Sequence, residues 1–501
     1  MDSLLSILDV WQPKTVLVLG DFMLDQHVYG DAERLSADAP VPVLRVRRTD
    51  ARPGGAANVC LDLIALRCKV LAFGVVGDDE AGRTLRASLQ ASGVDASGLV
   101  VDSERPTTQK QNIVGLAQSR HPQKMFRVDF ESSDPISGGV EDRMFAAIEK
   151  AIAACDVVCI EDYAKGVCSQ SLCQRVIRAA RAAKKPVMVD PARMSDYSRY
   201  AGATTITPNR TEAETATGLA ASKEETAETA AKHNAELARS LMDSLGLETC
   251  VLTLDRHGAL LLEKGGAVTA VPTVARQVYD VTGAGDMFLA ALAAAYANGA
   301  GWLDSVRFAN AAAGLEVEVF GVQPIPLEQV HHSVLVQTKK LSGKLRTLDQ
   351  LMIEVNAAKR QGKKVAFTNG CFDVLHSGHV TLLDKAAETA DLLIVGLNCD
   401  ESIRRLKGPS RPINREDDRA TVLGALASVA CVVLFGEEGD DTPRKLIEAI
   451  RPDVLIKGGD YTEATVVGAD VVRANGGRVV LIPLVEGRST TATVARMAGS
   501  R

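Results

Sequence analysis

Residues 363–386 read KKVAFTNGCFDVLHSGHVTLLDKA. A short apolar run closes in a tight Asn-Gly turn. A helical pattern then opens at His376 and His379, which stand three apart around Gly378. A strand feeding a turn and then a helix is one step of an open α/β sheet. The chain holds only eight histidines, so two within four positions call for a chemical reason. TVLVLGD at 15–21 is an earlier beginning of the same kind, an apolar run closed by Gly-Asp. The chain starts twice.

After the first start come VLAFGVVGD, DVVCIED, PVMVDP, TTITPN and CVLTL, with Ala-rich helical stretches such as RVIRAARAAKK between several of them. After the second come DLLIVGLNCD, VACVVLFG, PDVLIKGGD and GRVVLIPL. Such alternation predicts an α/β protein with two parallel sheets. The expected division is a domain over 1–330, a basic aperiodic linker over 331–347 (HHSVLVQTKKLSGKLRT), and a smaller domain over 348–501. No internal repeat relates the halves.

Composition removes several classes of function. Apolar residues at 46% and charged residues at 24% are the proportions of ordinary globular proteins. A net charge of −6 argues against a nucleic-acid partner or an anionic membrane surface. Ten scattered cysteines form no C-x-x-C pair and have no histidines at zinc spacing, so reduced buried thiols and a cytoplasmic location are expected. MDSLLSILDVWQPK carries an acidic residue where a signal peptide carries positive charge. The apolar stretch 287–303 is broken by Tyr296, Asn298 and two glycines, and reads as a buried helix rather than a membrane span. The expected partners are small molecules, with a homodimer left open.

In the first half the sharpest stretch is YDVTGAGDMFLAALAAA, residues 279–295. Gly283, Ala284 and Gly285 run straight into an apolar helix, where converging N–H groups and the helix dipole suit a phosphoryl group. A carboxylate at that mouth, Asp286, repels phosphate unless it has a task. Accepting the proton of an attacking hydroxyl is one, and capping a plain turn is the other. With GD near the start, RPGGAAN from 52 and TPNRTE from 207, this set resembles the ribokinase-like carbohydrate kinases over roughly residues 10–325. The resemblance implies a ribokinase-like α/β domain that phosphorylates a sugar hydroxyl from ATP with Mg2+. Asp286 would be the general base and Gly283, Ala284 and Gly285 the anion hole. Asn209, Arg210, Thr211 and Glu212 would lie on the nucleotide and magnesium side. Asp21, Asp25, Gly54, Gly55 and Asn58 would hold the sugar, and no residue is singled out as a direct metal ligand. No G-x-x-x-x-G-K-[ST] occurs, so this is no P-loop kinase. GDFMLDQHVYGDAERLSADAPVPVLRV and EDYAKGV are similar to the heptose-7-phosphate kinases. A substrate bearing a phosphate needs cations, for which Arg105, Arg127 and Lys165 are candidates. Solvated surface charge reads equally well for the two arginines, and Lys165, in a Tyr-Ala-Lys-Gly turn after a strand, is the stronger candidate.

In the second half, two imidazoles over a helix start make a cluster of donors for phosphate oxygens. An H-x-x-H metal pair would want further ligands, which the sequence does not supply nearby. The stretch resembles the H-x-G-H nucleotidyltransferases over about residues 345–497, which implies a Rossmann-like domain. There a phosphate would attack the α-phosphate of a nucleoside triphosphate while His376 and His379 stabilise the charge. VEGRSTTATVARM from 485 would grip the β- and γ-phosphates through Arg488, Ser489, Thr490 and Thr491, although alone it is an ordinary capping run. Lys457 matches the loop beside the nucleotide, and Lys407 and Arg419 are further phosphate candidates, with Lys385 behind them. Together the halves resemble the bifunctional enzymes of ADP-heptose synthesis for lipopolysaccharide. A different sugar kinase fused to a cytidylyltransferase is the alternative, with a non-catalytic sugar-phosphate sensor as the third reading.

Overall fold

The apolar runs become strands because parallel strands are covered on both faces and must be apolar throughout. The computed structural model describes residues 4, 7–8, 10–116, 123–220, 227–273, 281–318, 322–337, 344–360, 362–437, 439–459, 462 and 465–483. They fall in two compact units, Met1–Val330 and His331–Arg501.

In the first unit the strands are β1 (Thr15–Gly20), β2 (Phe22–Leu35), β3 (Pro42–Gly55), β4 (Lys69–Gly77), β5 (Asp95–Asp102), β6 (Thr108–Gly115) and β7 (Gln123–Phe130). There follow β8 (Val157–Glu161), β9 (Val187–Asp190), β10 (Thr205–Ile206), β11 (Thr249–Thr253), β12 (Ala259–Glu263) and β13 (Val268–Val271). Nine of them form a sheet in the order β13-β12-β11-β10-β9-β8-β1-β4-β5. Only β11–β12 and β12–β13 pair antiparallel. Leu17, Leu19, Val158, Ile160 and Val189 of its strands pack on Met144, Ile148, Leu172 and Val176 of the helices Gly138–Ile152 and Gln170–Ala182. A smaller sheet, β3-β2-β6-β7, stands apart from it. The chain passes from β1 into β2 through one residue, Asp21. This brings the start of β2, an inner strand of the small sheet, to the carboxyl end of the large one.

The second unit holds β14 (Leu345–Arg346), β15 (Val365–Gly370), β16 (Leu392–Asn398), β17 (Cys431–Phe435), β18 (Val454–Gly458) and β19 (Arg478–Ile482). Their order is β14-β17-β16-β15-β18-β19, all parallel. One face packs Phe367, Ile394, Val433, Ile447 and Val472, and the other Ala366, Leu383, Val395 and Leu423. Strand β15 lies between β16 and β18, so the strand order reverses beside it. Open α/β sheets leave a crevice for ligands at the carboxyl side of such a point.

The stretch expected as an aperiodic linker, 331–347, carries regular structure at both ends. The helix Leu327–Gln337 runs into it and β14 closes it, while 338–343 lie outside the described residues. Leu327, Val330, Val334 and Leu335 recur at helical spacing and are all buried, a period that the basic residues further on disguise. All ten cysteines are free thiols and nine are buried. Among the described residues no helix is long and apolar enough to cross a membrane.

Candidate active sites, one in each unit

The helix Ala284–Ala297 starts from Gly283, whose φ of 91° lies in the left-handed region that only glycine enters cheaply. A β-carbon there would also stand 2.6 Å from a carboxylate oxygen of Glu316. No side chain caps this start, so the first-turn N–H groups are left for an anion. Asp286 is the third residue of the helix, not its cap, which removes the capping reading. Its carboxylate is buried and held from both sides: Tyr163 Oη donates to Oδ1 at 2.8 Å, and Asn58 Nδ2 to Oδ2 at 2.9 Å. Burial lifts its carboxyl to about 6, against the lowering pull of those two donors. That is a base poised near neutrality, able to take a proton without losing its place.

Two further carboxylates face Asp286. Glu161 at the end of β8 and Asp190 at the end of β9 each bring an oxygen within 4.8 Å of the others. Burial, and then neighbouring carboxylates, push both well above the usual range. Glu161 Oε2 is buried with no hydrogen-bond partner among the described residues. The sequence alone singles out neither residue, nor Tyr163. Glu161 and Asp190 close strands in DVVCIED and VMVDP, Tyr163 follows two residues after the first, and the signal that points to all three is the carboxyl-end rule for parallel sheets.

Around this centre the expected residues divide. Asp25 stands beside Gly54, and burial raises its carboxyl while the nearby charges of Lys110, His27 and Arg127 lower it. Gly55, with φ 56°, turns the chain from β3 into the helix Ala56–Ala65 that carries Asn58. Asp21, expected to hold sugar, is instead buried. Its carboxylate accepts from the backbone amides of Tyr163 at 2.8 Å, Lys165 at 3.0 Å and Val167 at 3.3 Å. It staples the turn that aims Tyr163. Burial, and then the charge of Asp162, lift it to about 6. Asn58, also expected on the sugar, gives its amide to Asp286 and, at 3.4 Å, to the buried Asp62. Asn209 and Glu212 form a capping box at the start of the helix Arg210–Thr217. Arg210 pairs with Glu214 at 3.2 Å. Arg193, Asn209, Arg210, Thr211, Glu212 and Asp255 line a pocket of about 270 Å³.

In the second unit the helix Ser377–Ala387 starts at His376, again with no side chain capping it. The rings of His376 and His379 stack at 3.9 Å, tilted by 19°, and Phe372 meets His379 edge-on at 5.2 Å. Burial, and then the charges of His376 and Lys407, lower His379 to about 4, so it is a neutral donor at physiological pH. Lys457, ending β18, reaches the carbonyl of Asn369 at 3.4 Å, and burial lowers its ammonium to about 8. Both sit at the switch point beside β15. Arg419 corrects an expectation. Instead of meeting phosphate it is buried, donating to the carbonyls of Cys371 at 2.7 Å, Asn398 at 2.9 Å and Asn414 at 3.0 Å, and to Asp400 at 2.7 Å. Four acceptors take four of its five N–H groups. Lys407 remains exposed, and Arg488, Ser489, Thr490 and Thr491 lie outside the described residues.

Comparison with known proteins follows the same division. Residues 13–329 match the pfkB family of carbohydrate kinases, and residues 367–483 the cytidylyltransferase-like family. The chain is 45% identical to the bifunctional protein HldE of Geobacter metallireducens, across 95% of this chain and 94% of that one. It is 44% identical to the bifunctional protein HldE of a Caulobacter species, across 99% and 98%. Among solved structures, Arabidopsis thaliana ribokinase with ribose and ATP covers 64% of this chain and 99% of its own, at 22% identity and a TM-score of 0.50. Escherichia coli phosphofructokinase-2 covers 65% and 100%, at 15% identity and a TM-score of 0.52. At such identities these two speak for the fold of the first unit alone.

Proposed function

This chain belongs to the pfkB family of carbohydrate kinases and, along nearly all its length, to the bifunctional HldE proteins, and on that premise we propose how its two sites divide the making of ADP-heptose. The first unit phosphorylates heptose 7-phosphate at the anomeric oxygen with ATP, giving the 1,7-bisphosphate. The second transfers AMP from ATP to heptose 1-phosphate, giving ADP-heptose and pyrophosphate. One observation carries the kinase assignment: a buried carboxylate, Asp286, held by two donors at the third residue of a helix whose first turn no side chain caps.

In the kinase step the anomeric oxygen bonds to the γ-phosphorus as the bond from that phosphorus to ADP breaks. Asp286 takes the hydroxyl proton, while Tyr163 and Asn58 keep its oxygens turned to the sugar. The Gly283–Gly285 amides receive the charge on the moving phosphoryl group. Glu161 and Asp190 are suited to Mg2+: hard oxygens beside the anion turn, with one buried carboxylate oxygen lacking a donor among the described residues. The ion would supply positive charge against the phosphate oxygens. The Asn209–Glu212 pocket would take the nucleotide's phosphates.

In the second step the nucleophile is a phosphate oxygen, already ionised. It attacks the α-phosphorus and pyrophosphate leaves, so the site needs donors and no base. His376, His379 and Lys457 are those donors, and Arg488, Ser489, Thr490 and Thr491 are assigned to the leaving pyrophosphate. The experiment is to supply ATP and Mg2+ with heptose 7-phosphate, and separately ATP or CTP with heptose 1-phosphate, and to identify the products. Bisphosphate in the first and ADP-heptose in the second are expected. Efficient use of CTP would favour a cytidylyltransferase, and no bisphosphate would overturn the kinase reading.

A further inference from the structure

Three cations were expected to meet the phosphate that the sugar brings, and each is engaged elsewhere. Arg105 donates to the carbonyls of Ser132, Asp134 and Lys165 at 2.8–3.2 Å. Arg127 forks onto Asp129 with two bonds of 2.8 Å. Lys165 pairs with Glu131 at 2.8 Å. A fourth, Lys110, is half-buried, and its ammonium makes no ion pair or hydrogen bond among the described residues. It lies on β6 in a cross-strand row with Arg52, Asp25 and Asp129, and such a row projects from one face of the sheet. That face is the one turned to the active site: the ammonium stands 5.0 Å from the centroid of the Tyr163 ring, whose hydroxyl holds Asp286. The charge of Lys110 reaches both Asp25 and Asp286, lowering each. One phenol ring therefore separates a cation that makes no ion pair among the described residues from the base that activates the sugar.

We propose that Lys110 recognises the phosphate the sugar already carries, at the end opposite the reacting hydroxyl. The proposal rests on the kinase reading above and adds its specificity determinant. A half-buried ammonium without a partner gains most from a dianion that replaces its lost water. Asp129 and Glu131, the carboxylates that could compete, are already neutralised by Arg127 and Lys165. Asp25 remains, and it is the group placed to take sugar hydroxyls beside the phosphate.

The test uses the full chain with Lys110→Met and Lys110→Arg. Turnover and calorimetric binding are measured with heptose 7-phosphate and with the same heptose lacking the phosphate. For Lys110→Met, KM and Kd for the phosphorylated sugar should rise roughly 10- to 100-fold. Measured at about pH 8, well above the Asp286 carboxyl that the Lys110 charge helps to lower, values for the bare sugar and kcat should change little, and Lys110→Arg should recover part of the affinity. AMP transfer by the second unit reports that the chain is folded. An equal loss for both sugars, or a fall in kcat at constant KM, would overturn the proposal and leave Lys110 as a cross-strand partner of Asp25 or a support for Tyr163. A wild-type enzyme that binds the two sugars equally would overturn it as well. One that phosphorylates neither would sink the kinase reading first and the proposal with it.

Discussion

The chain builds two helix starts for phosphate and lines them with opposite charges. At Gly283–Gly285 the neighbours are carboxylates: Asp286, Glu161 and Asp190. At His376–His379 they are imidazoles and the ammonium of Lys457. The difference follows from the nucleophile. A sugar hydroxyl must shed a proton as it attacks, so the first site needs a base and tolerates negative charge beside its anion turn. A phosphate attacks already ionised, so the second site can devote every group to the charge that builds on the transferred phosphorus. What must be removed from the nucleophile decides the sign of the lining.

That contrast can be broken most severely at Asp286. Asp286→Asn keeps the shape and loses the base, so bisphosphate formation should fall by roughly 10²–10⁴, with AMP transfer unchanged in the same preparation. Arg419→Met comes next. It strips four acceptors in the second unit and should destabilise that unit by about 3–5 kcal/mol, seen as an early denaturation transition while kinase activity persists. His379→Ala should cost AMP transfer on the order of 10²–10³ and spare the kinase. If instead both activities fell together, the two sites would not be independent. Acidification sharpens the comparison by sign. Asp286 works ionised with a carboxyl lifted to about 6, so kinase turnover should rise as pH climbs through about 6 and be lost below it. His379, lowered to about 4, stays neutral over that range and adds no acid limb of its own, so any fall in AMP transfer between about pH 7 and about pH 5 should follow only the substrate phosphate, whose second ionisation lies at about 6. The smallest effect is at Tyr163→Phe. With one donor gone, the kinase should slow about tenfold. Its acid limb should move upward, because that donor lowers Asp286; an unmoved limb would deny Tyr163 this role.

The parts that were legible lie contiguous in the chain. The alternation of apolar runs and helices fixes the two large sheets, but not the small one of β3, β2, β6 and β7, which no helices interrupt in the same rhythm. A glycine turn running into an apolar helix marks Asp286, and two close histidines mark the other centre. The rest depends on residues brought together from afar. Tyr163 and Asn58 meet Asp286 across 123 and 228 positions, so no local pattern could announce them. Asp21 reads as a sugar ligand by resemblance alone, yet three backbone amides already claim it. Arg419 reads as a phosphate contact because its basic segment resembles that of the nucleotidyltransferases. Only the fold shows the cage of carbonyls around it. Lys110 drew no notice for the opposite reason: a lone lysine in a strand reads as solvent-facing until its row is traced across the sheet.

The passage of β1 into β2 through Asp21 alone has a consequence for how this segment can change over time. Side chains alternate along a strand, so one inserted residue would turn everything after it to the other face. Asp25 would leave the site, its row with Lys110 would slip, and the carboxylate of Asp21 would drift from the amides that fix Tyr163. A substitution here disturbs one contact at a time, but an insertion or deletion disturbs them all at once. Between Gly20 and Asp25, then, natural variation should appear as changed letters and almost never as changed length.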